Sequence, residues 1–235
     1  ASTDWRPCAR PSSEEGSVAL QLYSYFRSSA AYRVRIALAL KGLPYATIPK
    51  HLVRDGGEQR KADYLAVNPE GRVPALAVGE HVLSQSLAIC EYLEETHPEP
   101  PLLPGPALDR AAIRGLAQLV ACDIHPLNNL SVLGYLRREF GADEAGADRW
   151  VAHWIQRGFA ALEQRVRQGP NDGRHCYGSA VTLADVFLVP QMYNARRFKV
   201  DVSAFPTLVA ICAHLEGLPA FVAARPEAQP DAEIA

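Results

Sequence analysis

Long apolar runs and an excess of one charge are both missing from this sequence. No window of its 235 residues approaches the run of about 18 apolar residues that a membrane-spanning helix requires. Lysine and arginine number 24 against 26 aspartate and glutamate, so no strong positive field draws the surface to nucleic acid or anionic lipid. The sequence therefore predicts a folded globular chain with no membrane segment and no nucleic-acid partner.

Cysteine pairs and metal-binding patterns are missing as well. The five cysteines are scattered and odd in number, and none forms a Cys-x-x-Cys pair, which argues against a disulfide framework and a zinc ribbon. The histidines show no His-Glu-x-x-His spacing, and there is neither a Gly-x-x-x-x-Gly-Lys phosphate loop nor a Gly-x-Ser-x-Gly elbow. We therefore expect no metal, and a reducing compartment, the cytoplasm.

What is present divides the chain into two patterns. Residues 1–17 are polar and lack the apolar stretch of a secretory signal, so we expect a flexible extension there. From 18 to 98, strand-like and helix-like segments predict the order βαβαββα. Five prolines between 98 and 107 mark an interdomain linker, and 107–230 shows only helical periodicity. The sequence thus predicts an α/β domain followed by an all-α domain.

Local signals locate the starts of two helices. Thr182 and Asp185 have the spacing of a capping box and open a very apolar helix that we expect at the centre of the second domain, with Asp185 in a structural role. Ser86 precedes the third helix of the first domain and is expected as its N-cap. Within the first helix, Arg33 and Arg35 are assigned to structure and solvent.

Two serines, Ser28 and Ser29, lie at the turn from the first strand into the first helix. A hydroxyl at a helix N-terminus can hydrogen-bond a thiolate and lower the pKa of a thiol from about 8.5. The same serines are also ordinary helix caps, because serine is a preferred N-cap residue. The residues alone leave both interpretations open.

The same turn belongs to a longer stretch that resembles a known family. Residues 25–38 read Tyr-Phe-Arg-Ser-Ser-Ala-Ala-Tyr-Arg-Val-Arg-Ile-Ala-Leu, similar to the signature of the zeta class of glutathione transferases, which includes the maleylacetoacetate and maleylpyruvate isomerases. The chain departs from that signature at Ala30, where the family usually has Cys, and at Tyr32, where it has Trp or His. The likeness continues through Asn68-Pro69 with Val73-Pro74, Gln85 to Ile89, Asp123 to Leu130, Thr182 to Asp185 and Asn194 to Phe198.

The resemblance implies a glutathione transferase architecture, with a thioredoxin-like glutathione-binding domain over 18–98 and an all-helical substrate domain over 107–230. It implies glutathione as the cofactor, a cis peptide bond at Val73-Pro74, and a homodimer. His125 and Asn129 are four residues apart, and we expect them on one helical face beside glutathione. The resemblance places Gln85 and Ser86 at the γ-glutamyl end of glutathione. The residues that it assigns to glutathione are Ser28, Ser29, Gln59, Val73, Gln85, Ser86, His125 and Asn129.

The resemblance also implies a substrate and a reaction. Arg27 and Arg197 are the planar cations expected to hold the carboxylates of a dicarboxylic keto acid. Ser28, with Ser29 second, stabilises the thiolate that adds to the cis double bond of the substrate, so that the bond can rotate. Arg27 therefore joins the two serines as a candidate catalytic residue.

We expect conversion of maleylacetoacetate into fumarylacetoacetate in aromatic amino acid breakdown. Two alternatives are enzymes of the same fold, namely a maleylpyruvate isomerase and a zeta-class transferase or dehalogenase acting on α-halo acids. A third is a non-catalytic thioredoxin-plus-helix module that only binds partners, since fold alone does not decide function.

Overall fold

The computed structural model describes residues 19–232, so the extension expected over residues 1–17 lies outside the described residues. The first half of the described chain builds one four-stranded sheet in the order β2-β1-β3-β4. β1 pairs with β2 in parallel, whereas β3 runs antiparallel to both β1 and β4. The strands are β1 (Leu20–Ser24), β2 (Tyr45–Pro49), β3 (Ala75–Val78) and β4 (His81–Ser84).

Three helices complete this half and confirm the predicted order βαβαββα. Gly42 follows the first helix with a φ of 66°, a left-handed conformation that glycine adopts without strain. The sheet with these helices is the thioredoxin-like arrangement that the resemblance implies. The helices are α1 (Ser29–Leu40), α2 (Ala62–Val67) and α3 (Ser86–Thr96).

The second half of the described chain is built from helices. Within residues 19–232, no helix has both the length and the apolarity needed to cross a membrane. The helices are α4 (Ala107–Gln118), α5 (Leu130–Phe140), α6 (Glu144–Gln168), α7 (Leu183–Arg197), α8 (Pro206–Leu215) and α9 (Pro219–Ala224).

Helix α7 begins at the predicted capping box. The Asp185 carboxylate accepts hydrogen bonds from the backbone N–H of Thr182 at 2.8 Å, from its hydroxyl at 2.9 Å and from the N–H of Cys176 at 2.7 Å. Burial raises the pKa of Asp185, and these donors act in the opposite direction. These hydrogen bonds agree with the structural role predicted for Asp185. They stabilise the start of a helix that is buried along most of its length.

Helix α1 lies at the junction of the two halves and packs against α3, α7 and α9. Its arginines are buried rather than solvated: Arg33 is 1% exposed and Arg35 is 0% exposed. The expectation that they face solvent was therefore wrong, because a helix covered by neighbours on all sides leaves no position for a solvated side chain.

Residues 97–106 connect α3 to α4 and contain the predicted proline-rich linker. Leu102 and Leu103 in this connection are buried, and their backbone N–H groups both donate to the carboxylate of Glu94, at 2.9 Å each. Lys41 pairs with the same carboxylate at 2.6 Å. The connection is thus fixed to α3 and to the end of α1, while the domain limits themselves stay a prediction.

The chain leaves helical regularity between α4 and α5. A π-helical turn over Leu119–Ile124 is followed by a 3-10 turn over His125–Asn128. The side chain of Ile124 packs directly on Gly158 of α6, so closely that a Cβ atom at Gly158 would overlap Ile124 Cγ1 and Cδ1. This contact fixes the position of Ile124 against α6 and thereby the position of His125, the next residue.

We predict that Gly158→Ala destabilises the protein by about 1–3 kcal/mol, because the added methyl group overpacks the contact with Ile124. The measurement is urea denaturation followed by circular dichroism. Gly134→Ala in α5 is the matched control, since nothing lies within 4 Å of a Cβ atom there. That substitution is expected to stabilise the protein by about 0.4–1 kcal/mol. Equal effects of the two substitutions would contradict the prediction.

Candidate functional site

The turn between β1 and α1 presents the two serines. Ser28 is the N-cap of α1, and its Oγ accepts a hydrogen bond from the Ala31 N–H at 3.2 Å. Because the hydroxyl oxygen acts as the acceptor in this bond, its hydrogen remains available to an anionic ligand at the positive end of the helix. Ser29 is the first helical residue and is 3% exposed. Capping and ligand binding are thus compatible at Ser28.

Distant parts of the chain hold this turn in place. Arg35 Nε donates to the Ala224 carbonyl at 2.9 Å, and its two terminal nitrogens donate to Ser24 Oγ at 3.1 Å and to the Phe26 carbonyl at 3.0 Å. The Phe26 N–H donates to Asp231 Oδ2 at 3.0 Å. Side chains from α1 and from the end of the described chain therefore fix the backbone before Ser28.

Two adjoining cavities, each of about 360 Å³, lie beside this turn. The residues predicted for the site line one or both of them, so the fold brings all of them together, while their roles stay predictions. The first cavity is lined by Arg27, Ser28, Ser29, Gln59 and Arg197, and the second by Gln85 and Ser86. Both cavities share Glu70, Arg72, Val73, His125 and Asn129.

One edge of the site is formed by Val73 and the loop that carries Gln59. The Val73-Pro74 peptide bond is cis, as the resemblance implies. Gln59 is 7% exposed, and its Nε2 donates to the Leu52 carbonyl at 3.1 Å. Its Oε1 is buried and has no partner in the described part of the chain. A buried acceptor of this kind is suited to a donor on a ligand.

The start of α3 forms the floor of the second cavity. Gln85 occupies the N-cap position with a φ of 66°, and Ser86 is the first helical residue, so the expectation that Ser86 caps this helix was wrong by one residue. Gln85 Nε2 donates to Glu70 Oε2 at 2.6 Å, and Ser86 Oγ accepts from Arg33 Nη1 at 3.2 Å. Within the described part of the chain the start of α3 has no side-chain cap, and its first residues, Ser86 to Ala88, line the second cavity with their N–H groups unpaired by a cap.

His125 and Asn129 reach the cavities from the irregular segment. His125 begins the 3-10 turn and Asn129 is the N-cap of α5, so the expectation that they share one helical face was wrong. The 3-10 turn between them and the extended backbone of Asn129 break the spacing of 3.6 residues on which that expectation depended. Both side chains nevertheless line both cavities.

His125 is held in its neutral form. Burial lowers its pKa to about 3, and the positive charges of Arg33, Arg72 and Arg197 act in the same direction. A neutral imidazole has one N–H donor and one acceptor nitrogen, so His125 can donate a hydrogen bond without adding charge to the site.

The cavities contain more cations and amides than the sequence indicated. Arg27 and Arg197 line the first cavity as expected, with Arg197 at the end of α7. Loop residues bring further polar groups that sequence reasoning missed, because no local pattern marks where separate loops meet. These loop residues are Arg60, Glu70, Arg72 and Asn128, and Asn194 on α7 adds a further amide.

A thioredoxin-like half, a helical half and a serine-capped turn in a cationic cleft together define a glutathione transferase. The comparison with family models agrees, since residues 18–95 match the glutathione S-transferase N-terminal domain. The maleylacetoacetate isomerase of Pseudomonas aeruginosa is 51% identical over 217 residues, covering 92% of this chain and 100% of that protein.

Solved structures agree with the sequence comparison. A holo structure of maleyl pyruvate isomerase, a bacterial glutathione S-transferase in the zeta class, has a TM-score of 0.88 and 47% identity, covering 91% of this chain and 100% of that one. Maleylacetoacetate isomerase from Anaeromyxobacter dehalogenans, solved with bound GSH in the active site, has a TM-score of 0.83 and 47% identity, covering 92% and 99%. The chain belongs to the zeta class of glutathione transferases, the family of the maleylacetoacetate isomerases.

We predict that His125→Gln makes the stability of the protein less sensitive to acid. The pKa of His125 is lower in the folded than in the unfolded chain, so the unfolded chain binds the additional proton as the pH falls from about 6.5 toward about 3. Stability is therefore lost over this range in the wild type. The measurement is the free energy of unfolding in urea between pH 4 and pH 7, where an unchanged slope in the variant would contradict the prediction.

Proposed function

We propose that this chain is a glutathione-dependent cis-trans isomerase that converts maleylacetoacetate into fumarylacetoacetate in aromatic amino acid breakdown. The observation that carries the proposal is the position of Ser28, at the N-terminus of α1 in a cavity that it shares with Arg27 and Arg197. The 51% identity to a maleylacetoacetate isomerase over nearly the whole chain supports the choice of substrate.

The polar groups of the cleft fit a peptide-like cofactor. Gln59 Oε1 and both polar atoms of the Asn128 side chain are buried without a partner in residues 19–232, and both residues line the first cavity. Burying such atoms without a hydrogen bond is unfavourable in free energy unless a ligand or water supplies the partner. The backbone and carboxylates of glutathione offer suitable partners. Glutathione, when bound, supplies the thiol that adds reversibly to the activated double bond.

Four residues that line the first cavity then have definite tasks. Ser28 donates its hydroxyl hydrogen to sulfur and favours the thiolate, with the positive end of α1 acting in the same direction. Arg27 and Arg197 hold the carboxylates of the substrate, because planar guanidinium groups match carboxylate geometry. His125, neutral and at the boundary of the two cavities, can donate to the carbonyl oxygen on which negative charge develops.

Maleylpyruvate is the second candidate substrate. The observation that favours it is the TM-score of 0.88 to a maleyl pyruvate isomerase structure. Both substrates carry a cis double bond between a carboxylate and a keto group, so the same residues serve either one. What differs is the length of the chain beyond the keto group, which the first cavity must accommodate.

We predict that the purified protein converts maleylacetoacetate only in the presence of glutathione, and that Ser28→Ala lowers kcat/KM by about 100-fold through loss of one donor to the developing charge. The measurement is the rate of fumarylacetoacetate formation, with maleylpyruvate and an α-halo acid in parallel. Asp143→Ala is the control, because Asp143 caps α6 through the Gly146 N–H at 2.7 Å, away from the site. Full turnover in Ser28→Ala would refute the thiolate-donor role, and conversion of the α-halo acid alone would refute the isomerase.

We infer a homodimer and a cytoplasmic location from the resemblance to the family. The dimer is tested by sedimentation equilibrium, where we expect about twice the chain mass of 25.6 kDa. One species at the mass of a single chain would contradict it.

A further inference from the structure

Arg33 is a buried cation that has no counterion among residues 19–232. Its side chain is 1% exposed, its Nη1 donates to Ser86 Oγ at 3.2 Å, and its guanidinium lies 4.6 Å from the centroid of the Phe187 ring. Nε and Nη2 are buried and have no hydrogen-bond partner, and no carboxylate of residues 19–232 pairs with this side chain. An unpaired buried charge is strongly unfavourable, so its presence calls for an explanation.

The neighbouring arginine shows that burial in α1 does not by itself leave a guanidinium unpartnered. Arg35 lies two residues further on and is equally buried, yet Nε, Nη1 and Nη2 all donate to oxygen atoms. Burial lowers the pKa of Arg33 only to about 10, so the side chain keeps its charge at neutral pH. Arg35 therefore uses its donors to hold the protein backbone in place. Arg33, in contrast, has two nitrogen donors, Nε and Nη2, that find no acceptor in residues 19–232.

Arg33 lies at the wall of the second cavity. Arg33 lines this cavity beside Ser86, and α3 starts there with no side-chain cap and no acidic residue in its first turn. Arginine can only donate, so Ser86 Oγ must be the acceptor, and its own hydrogen is directed elsewhere. Ser86 is thereby set as a donor, next to the free N–H groups of α3.

The acidic residues of the cavity are engaged with other partners. Glu70 accepts from Gln85 Nε2 at 2.6 Å, and Glu91 pairs with Arg114 Nε at 2.6 Å. The negative charge that balances Arg33 must then come from a ligand.

We propose that Arg33 is a positioning residue for glutathione, which sets the Ser86 hydroxyl as a donor and supplies the buried positive charge behind it for the α-carboxylate of the γ-glutamyl end. This inference rests on the proposed function, since that function is what assigns glutathione to the cleft. It extends the assignment of Gln85 and Ser86 to a residue on a different helix, and it gives the second cavity selectivity for a ligand with a carboxylate at that end.

The test is a binding cycle by isothermal titration calorimetry. The two ligands are glutathione and 4-aminobutanoyl-cysteinylglycine, which is glutathione without the α-carboxylate. We expect the wild-type protein to bind the analogue at least about 30-fold more weakly, in line with the energy of a hydrogen bond to a charged group. In Arg33→Met the affinity for glutathione falls to near that for the analogue, so the difference between the ligands shrinks to about threefold or less.

Arg138→Met on α5 is the matched control. Arg138 is exposed, its Nε donates to Glu139 Oε1 at 2.6 Å, and it lines neither cavity, so this variant is expected to keep the 30-fold preference for glutathione. Arg33→Gln, which keeps a donor for Ser86 without the charge, is the second variant where Arg33→Met does not fold. A full preference for glutathione in the folded Arg33 variant would overturn this inference alone. Absence of glutathione binding by the wild type would overturn the proposed function and this inference with it.

Discussion

The burial of helix α1 is the constraint on which the rest of the structure depends. This helix packs against α3 of the sheet domain and against α7 and α9 of the helical half, and its apolar side chains belong to one continuous core that extends through both halves. The burial has a direct consequence for the site. The N-terminus of α1, with Ser28 and Ser29, emerges where the two halves meet, so the serines lie at the base of a cleft with walls from both. Since the positive end of the helix points into this cleft, the same packing that stabilises the fold also gives the site its polarity.

The cleft is positively charged because its arginines are not paired with the acidic residues that the structure describes beside them. Arginines converge on the cavities from α1, from α7 and from three loops, while Glu70 and Glu91 form their hydrogen bonds with other residues. The resulting positive potential favours anionic ligands and disfavours a further cation, and it adds to the effect of burial, which is the larger cause of the lowered pKa of His125. A neutral histidine in a cationic site is a hydrogen-bond donor that does not compete with the arginines for carboxylates. In this site the arginines are thus suited to bind carboxylates, whereas His125 is suited to donate a hydrogen bond without adding charge.

Local patterns were sufficient to predict the elements of the fold, because periodicity, glycine positions and the capping box at Thr182 all act within a few residues. They failed where tertiary packing changes the backbone: Gln85 adopts a positive φ and takes the N-cap position from Ser86, and the 3-10 turn over His125–Asn128 separates His125 from the helix that Asn129 caps. The burial of Arg33 and Arg35 had a signal in the sequence, since a helix that is apolar on more than one face leaves no solvated side for them. The polar loop residues of the cleft had none, because their proximity exists only in the folded chain. Those residues are Arg60, Glu70, Arg72 and Asn128.

The hydrogen bond from the Phe26 N–H to Asp231 joins residues 205 positions apart. Together with the bond from Arg35 to Ala224, it closes the turn before Ser28 with groups from the far end of the described chain. During synthesis Phe26 is made 205 residues before Asp231, and chain growth proceeds at roughly 5–20 residues per second. For about ten seconds or more of synthesis the sheet domain therefore has its strands but lacks the contacts that fix its serine turn. The serines and their helix are therefore made well before the residues that hold the serine turn in place. The cleft can reach its final geometry only after Ala224 and Asp231 have been added.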